Sequence, residues 1–356
     1  MMKVYENPLF QEDIARVAAL DIPWEKLQDK SMLISGATGL IGSFFVDVIM
    51  KRNTDYGMNC KVYALGRNEG KAKERFTDFL GTNWLQFVQY DINEPLRDDN
   101  FPVIDYAAHL ASNTHPVAYA MDPIGTITTN IIGIKNMLDF CSKHQVSRIA
   151  FASSNEIYGE NRGDVELFKE DYCGYINCNT MRAGYPESKR CGEALCQAYI
   201  KQAGLDIVIP RFTRSYGPTM LMNDTKAISQ FIRKAIAGED IVLKSEGNQY
   251  YSYTYVADAV SGFLTILLKG ECGEAYNIAD VTSDIRLKDL AAILAEIAHK
   301  KVIFELPDAV EKAGYSKATK ARLDGSKIKT LGWKPMYTID EGLKRTVEIL
   351  RSTMID

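Results

Sequence analysis

Through its first two thirds the chain alternates short apolar runs with longer stretches of helical spacing. SMLIS (31–35) has no polar interruption and predicts a strand buried on both faces. LIGSFFVDVIMKRN (40–53) predicts the helix that follows. KVYAL (61–65), WLQFVQY (84–90) and VIDYAAHLA (103–111) predict three more strands. A helix is then expected over 124–143, a strand at SRIAFAS (147–153), a helix over about 184–203 and a strand at LDIVIPRF (205–212). Such alternation predicts an α/β fold, a doubly wound parallel sheet with helices on both faces. Ligands of such sheets bind beyond the carboxyl ends of the strands. Residues 1–30 precede the first strand and predict an added helix and turn. Beyond about 213 the pattern loosens, and alternation returns near 252–280. The organisation expected is a main domain over 31–212, rejoined by 252–280, and a smaller C-terminal α/β substrate lobe from 213–251 and 281–350. No internal repeat or low-complexity linker interrupts it.

Composition narrows the function classes. The chain has 356 residues, 46% hydrophobic and 25% charged, with a net charge of -4. That balance suits an ordinary soluble protein and gives no reason to expect nucleic acid as a partner. No apolar run approaches the ~18 residues of a membrane span. The first twenty residues carry acids and lack a signal-peptide core. The seven cysteines (60, 141, 173, 178, 191, 196 and 272) form no CxxC pair and are odd in number, as expected of reduced cytoplasmic thiols. The four histidines (109, 115, 144 and 299) lack metal-ligand spacing, so no metal site is expected.

ISGATGLIG (34–42) joins the first strand to the first helix and spaces Gly36, Gly39 and Gly42 as GxxGxxG. Glycine there permits a tight turn and close approach of a pyrophosphate, which then sits on the helix N-terminus. Thr38, Leu40 and Ile41 complete the turn. Its place after a strand and before a helix makes a Rossmann-like dinucleotide site the expected reading. The second strand ends Ala64-Leu65-Gly66-Arg67-Asn68 with no acid for the ribose of NAD. Arg67 suits the 2′-phosphate of NADP, and equally a solvated group stacked on adenine. Asp91 and Ile92 end the third strand, where an adenine contact falls; Asp91 also suits a turn.

FASSNEIYG (151–159) ends the strand that should face the cofactor, and AGYPESKR (183–190) places Tyr185 and Lys189 one helical turn apart. Positions i and i+4 share a helix face, and an ammonium beside a phenol favours the phenolate. Tyr185 then reads as a base, Lys189 as the group that lowers its pKa, and Ser154 as the partner of the oxygen being oxidised.

The glycine turn, the strand-end serine and YxxxK, in this order, resemble the extended short-chain dehydrogenase/reductase family, the nucleotide-sugar epimerases and dehydratases. The resemblance runs from about 31 to 350 and is carried also by HLAS (109–112), EDYCGYINCNTMRAGYPESKR (170–190), RFTRSYGPTMLMND (211–224), YTYVADAVSG (253–262) and LGWKP (331–335). Within the family the pattern is most similar to the UDP-glucuronate decarboxylases. The resemblance implies a retained NAD that oxidises the C4 hydroxyl of a nucleotide-diphosphate sugar, chemistry beside the new ketone, and return of the hydride. It implies cofactor contacts from Leu110, Ala111, Ser112, Asn130, Tyr185 and Lys189, substrate contacts from Ser112, Asn155 and Arg182, and a homodimer; Asn130 also suits a helix residue with no such role, and Arg182 an ordering of its loop. Cell-surface polysaccharide synthesis is the family's common use.

Two places depart from the family pattern. Asn155-Glu156 stands where dehydratases carry Asp-Glu and decarboxylases Ser-Glu; Asn cannot supply a proton as an acid, which disfavours 4,6-dehydration. Glu156 offers a base, or a paired structural carboxylate. Tyr251 stands where the family has an anion-binding Arg, and Arg214 where it has Asn. Arg214 is expected to take over the anion contact, the alternative being a structural ion pair. Lys320 and Arg322 read either as a diphosphate clamp or as a solvated basic turn, and Cys178 as a remote alternative acid. The leading expectation is a decarboxylase-like enzyme. A 4-epimerase, a 4,6-dehydratase and, outside that class, a noncatalytic NAD(P)-binding scaffold are the alternatives.

Overall fold

The computed structural model describes residues 3–97, 101–112, 114, 121–305 and 320–353. His115 lies outside them. The strands are β1 (Ser31–Ser35), β2 (Lys61–Gly66), β3 (Leu85–Gln89), β4 (Tyr106–His109), β5 (Arg148–Phe151), β6 (Ser153–Ser154), β7 (Ile207–Phe212), β8 (Arg214–Tyr216), β9 (Ile241–Leu243), β10 (Tyr250–Tyr255), β11 (Ala275–Ile278), β12 (Asp284–Arg286), β13 (Val302–Phe304) and β14 (Lys320–Ala321). The helices are α1 (Pro8–Ala18), α2 (Leu40–Tyr56), α3 (Glu69–Arg75), α4 (Pro123–Lys143), α5 (Gly184–Ala203), α6 (Ala227–Ala237), α7 (Val256–Lys269), α8 (Leu287–Ala298), α9 (Ser326–Thr330) and α10 (Ile339–Ser352).

The main sheet runs β11–β7–β5–β4–β1–β2–β3, with β6 also on β7, and its pairings are parallel. The chain enters at β1, builds outward through β2 and β3, then returns to the other side of β1 with β4. Strand order therefore reverses between β1 and β4, and the crevice outside their carboxyl ends is the ligand position of such sheets. Along β1 the side chains alternate between two cores. Met32 and Ile34 join Phe44, Phe45 and Phe263 on one face, while Leu33 joins Ile134, Met137, Leu138 and Cys196 on the other. With both faces covered, β1 is fully buried, which is why it reads as a continuous apolar run.

Local chemistry moves some boundaries from those expected. The fourth strand begins at Tyr106; just before it, the Asp105 carboxylate takes the Ser31 amide at 2.9 Å while the Asp105 amide donates to the Ser31 carbonyl at 3.1 Å. The run at 147–153 divides after Phe151, and Ser153–Ser154 pair only with β7. Helix α3 was not anticipated; Asn68 caps it by accepting from the Lys71 amide.

A second sheet of four strands, β12–β10–β14 with β8 on β10, grows from the carboxyl end of β7. Only Thr213 separates β7 from β8, so this sheet stands over the crevice. The chain rejoins the main body at α7, which is buried on every side, and at β11. Helix α1 is tied in by Asp13, fully buried, whose oxygens take the hydroxyls of Tyr255 and Tyr337 at 2.6 Å each and an Arg345 nitrogen at 2.7 Å.

Candidate active site

The turn after β1 is shaped by its glycines. Gly36 has φ +73°, and a Cβ there would lie 2.6 Å from the Ala111 nitrogen, so the turn presses against the exit of β4. A Cβ on Gly42 would lie 2.3 Å from the Gly36 oxygen, so the first turn of α2 packs directly on it. Gly39 is the N-cap of α2 and supplies no side chain to the first amides, which stay open toward the crevice. This cradle fits a pyrophosphate. Ser35 closes its floor: its hydroxyl meets His109 Nδ1 at 2.9 Å and accepts from the Ala111 amide at 3.4 Å. His109 is fully buried, and burial pushes its pKa down to about 3, so it stays neutral beside Lys189. The motif HLAS quoted His109 without revealing this bracing role.

Beyond the cradle, Arg67 is exposed at the end of β2. Asp91 accepts from the Asn93 amide at 3.0 Å, the turn role that was its alternative reading. It also lines a cavity of ≈ 560 Å³ with Gln89, Tyr90 and Leu96. Ile92 is buried against Gly133.

The Tyr–Lys helix meets this floor from the other side. Ser154, Tyr185 and Lys189 are all buried. Burial outweighs the hydrogen bonds that Tyr185 makes with Ser154 and Ser112 and pushes its pKa up to about 12. The expected lowering by Lys189 is not what this arrangement produces: the Lys189 ammonium donates instead to the Ala152 carbonyl at 2.8 Å and lies 5.0 Å from the Phe151 ring centre. Burial pushes Lys189 itself down to about 7. Burial thus favours a neutral phenol beside a weakly basic amine.

Asn130 joins the two helices below the site. Ser112 donates to its Oδ1 at 2.7 Å, its Nδ2 donates to Ser188 Oγ at 2.9 Å, and Ser188 donates to the Tyr185 carbonyl at 2.8 Å. The chain Ser112–Asn130–Ser188 therefore sets where the Tyr185 turn sits. Ser188 was missed, although it stands three residues after Tyr185 on the same helix face. A further buried network runs behind it. Glu193 takes Ser153 at 2.5 Å and two nitrogens of Arg211, and Arg211 also binds the Tyr158 hydroxyl at 2.8 Å.

Around the mouth, both oxygens of Glu156 accept from Arg182 Nη2, at 2.8 and 2.7 Å. This is the paired-carboxylate alternative for Glu156, and it also gives Arg182 a partner. Asn155 is buried next to it. Arg214 makes no ion pair among the described residues; its guanidinium lies 3.6 Å from the Tyr251 ring centre. Tyr251 feels Arg214, Glu156 and Arg182, and Tyr185 feels Glu156 and Arg182, so these groups form one cluster. Arg322 is not part of it. It lies over Tyr250, the residue on the opposite face of β10, and pairs with Glu166 at 2.6 Å and Asp284 at 3.7 Å. Cys178 is exposed and meets Glu187 at 3.8 Å. Among the described residues no cluster of metal-ligating side chains occurs, and no helix is long and apolar enough to cross a membrane.

Comparison with known proteins agrees with this construction. The profile of the NAD dependent epimerase/dehydratase family matches residues 32–279. UDP-glucuronic acid decarboxylase 1 of Danio rerio is 31% identical over 320 residues, 90% of this chain and 72% of that protein. UDP-glucuronic acid decarboxylase 3 of Arabidopsis thaliana is 31% identical over 325 residues, 90% of this chain and 89% of that protein. Among solved structures, the UDP-glucose 4-epimerase of Thermotoga maritima, determined with UDP-glucose, superposes with a TM-score of 0.77 at 25% identity, covering 91% of this chain and all of that one. The UDP-glucuronic acid 4-epimerase of Bacillus cereus, with UDP-glucuronic acid and NAD, superposes with a TM-score of 0.77 at 22% identity over 91% of this chain, a likeness of fold. The chain is an enzyme of the NAD-dependent epimerase/dehydratase family.

Proposed function

We propose that this enzyme decarboxylates a nucleotide-diphosphate hexuronate, UDP-glucuronate being the first candidate, through transient oxidation at C4. The observation that carries the reading is the meeting of Ser154, Tyr185 and Lys189 beside the glycine cradle at the reversal of strand order. The 31% identity to decarboxylases over 90% of the chain supports it. Gly36, Gly39 and Gly42 would hold the pyrophosphate of NAD, and Lys189 and Asn130 would lie toward its nicotinamide end. When bound, NAD would supply the hydride acceptor for C4 and a positive charge that opposes the burial keeping Tyr185 protonated. Ser154 donates to the C4 oxygen, and Tyr185 Oη takes its proton and later gives it back. With C4 a ketone, the electron pair of the breaking C5–C6 bond passes into an enolate as carbon dioxide leaves. C5 gains one proton in exchange.

One observation favours 4-epimerisation as the second reading. Arg182 occupies both oxygens of Glu156, and a 4-epimerase requires only Ser154, Tyr185 and the cofactor. Product mass after incubation with UDP-, dTDP-, GDP- and CDP-sugars, including UDP-glucuronate, separates the cases. Loss of carbon dioxide supports the proposal, and an isomer of unchanged mass supports the epimerase. Loss of water would mean dehydration despite Asn155. Biological activity left intact by Tyr185→Phe would overturn both leading readings in favour of a noncatalytic scaffold.

Three finer features accompany this reading. NAD is the cofactor, and exposed Arg67 makes NADP the competitor, decided by the mass of dinucleotide released from the purified protein. Met121 and Ile124, 81% and 76% exposed near the start of α4, support pairing of two copies through this side, checked by light scattering. The seven free thiols suit a reducing cytoplasm, checked by fractionation.

A further inference from the structure

We propose that Arg214, held flat by Tyr251, seats an anionic oxygen group of the substrate. This rests on the reading of the crevice as a nucleotide-sugar site. Arg214 begins β8 and is in register with Tyr253 of β10, which brings its side chain over the Tyr251 ring two residues earlier, at 3.6 Å. The stack fixes the plane of the guanidinium and leaves its edge to bind oxygens in a forked pair. Its Nη1 is shielded from solvent and meets no hydrogen-bond acceptor among the described residues. A buried charged donor is ordinarily matched, because leaving it unmatched is costly.

The neighbouring charges of the described residues supply no match. Glu156 is the acid of this cluster, and both its oxygens are occupied by Arg182. Among the described residues, Arg182 and Arg214 against Glu156 leave the cluster one positive charge in surplus. Tyr251 connects that surplus to the reacting end, since it feels Arg214, Glu156 and Arg182 together, and Tyr185 feels the latter two. Arg322 does not duplicate this role, because it lies on the other face of β10 and is engaged by Glu166 and Asp284. The anion arrives either as a diphosphate oxygen or as a sugar carboxylate, and both present the oxygen pair that a planar guanidinium takes.

Calorimetric titration of the NAD-loaded protein distinguishes the two. UDP, dTDP, GDP and CDP are titrated first to fix the base, then that nucleotide, its glucose conjugate and its glucuronate conjugate, with wild type, Arg214→Gln and Arg214→Lys. The expected result is binding at least thirtyfold weaker in Arg214→Gln, equivalent to ~2 kcal/mol, with partial recovery in Arg214→Lys. Equal loss for all three ligands assigns the seat to the diphosphate, and loss confined to the glucuronate conjugate assigns it to the carboxylate. Arg214→Gln binding all three within threefold of wild type, with an unchanged melting curve, overturns the proposal and leaves the nucleotide-sugar reading standing. Failure of the wild type to bind any of the four nucleotides overturns both.

Discussion

Replacing Lys189 by Met should make the protein more stable near neutrality while removing its function. Lys189 is 2% exposed, and burial lowers its pKa from 10.5 to about 7. In the unfolded chain the side chain keeps its ordinary pKa, so between about 7 and 10.5 the unfolded state binds more protons than the folded one. Stability therefore rises with pH across that window, and below pH ~7 the folded state bears the full cost of holding a charged ammonium in the core. The gap corresponds to roughly 5 kcal/mol at ~1.4 kcal/mol per pH unit, an upper bound. Methionine has similar length and no charge, so it escapes this cost. It leaves the Ala152 carbonyl without its 2.8 Å donor and loses the ammonium's contact with Phe151. That offsets ~1–3 kcal/mol. The expected net gain for Lys189→Met is ~2 kcal/mol at pH 6, vanishing or reversing by pH 10. Urea unfolding of both proteins at pH 6, 8 and 10 measures it, and groups common to both cancel in the difference. A difference that does not change with pH would refute the reasoning, since the buried charge would then cost nothing. Loss of retained NAD in the same variant shows that the charge is kept for the cofactor.

Other outcomes follow from single contacts. Asp13→Ala should lower stability by ~3–5 kcal/mol in a thermal or urea melt, because it strands the Tyr255 and Tyr337 hydroxyls and part of the Arg345 charge in the core. Gly36→Ala should cost ~2 kcal/mol or more and abolish NAD retention, since its φ of +73° disfavours a side chain and its Cβ would meet the Ala111 nitrogen at 2.6 Å; a variant that keeps its cofactor contradicts this. A thiol reagent should label exposed Cys173, Cys178 and Cys272 quickly in the folded protein. Burial pushes the Cys60 thiol up to about 12 and raises Cys141 and Cys196 as well, so these three should react only on unfolding, counted by mass.

Much of the architecture was readable in the hydrophobic pattern. The β1 run at 31–35 and the α5 span at 184–203 agree with expectation because burial on two faces leaves an unbroken apolar run, and a helix leaves Tyr185 and Lys189 one turn apart. The glycine spacing at 36, 39 and 42 was legible for the same reason: backbone that must turn tightly and touch other backbone permits little else. What adjacency in the chain cannot express was left to the tertiary structure. Asn130 and Ser188, 58 positions apart, hydrogen-bond to fix the turn that carries Tyr185. The sign of the Tyr185 shift reversed because burial, a property of the whole packed core, outweighs an i+4 neighbour whose ammonium points elsewhere. Glu156 could be named as a carboxylate, but only folding brings Arg182 to both of its oxygens. Arg214 and Arg322 look alike as sequence. Strand alternation along β10 sends them to opposite faces, one over Tyr251 beside Glu156 and Arg182 and the other over Tyr250 among acids. Residue type and local spacing specify which chemistry is available; long-range pairing and desolvation decide which of those groups meet, and in what charge state.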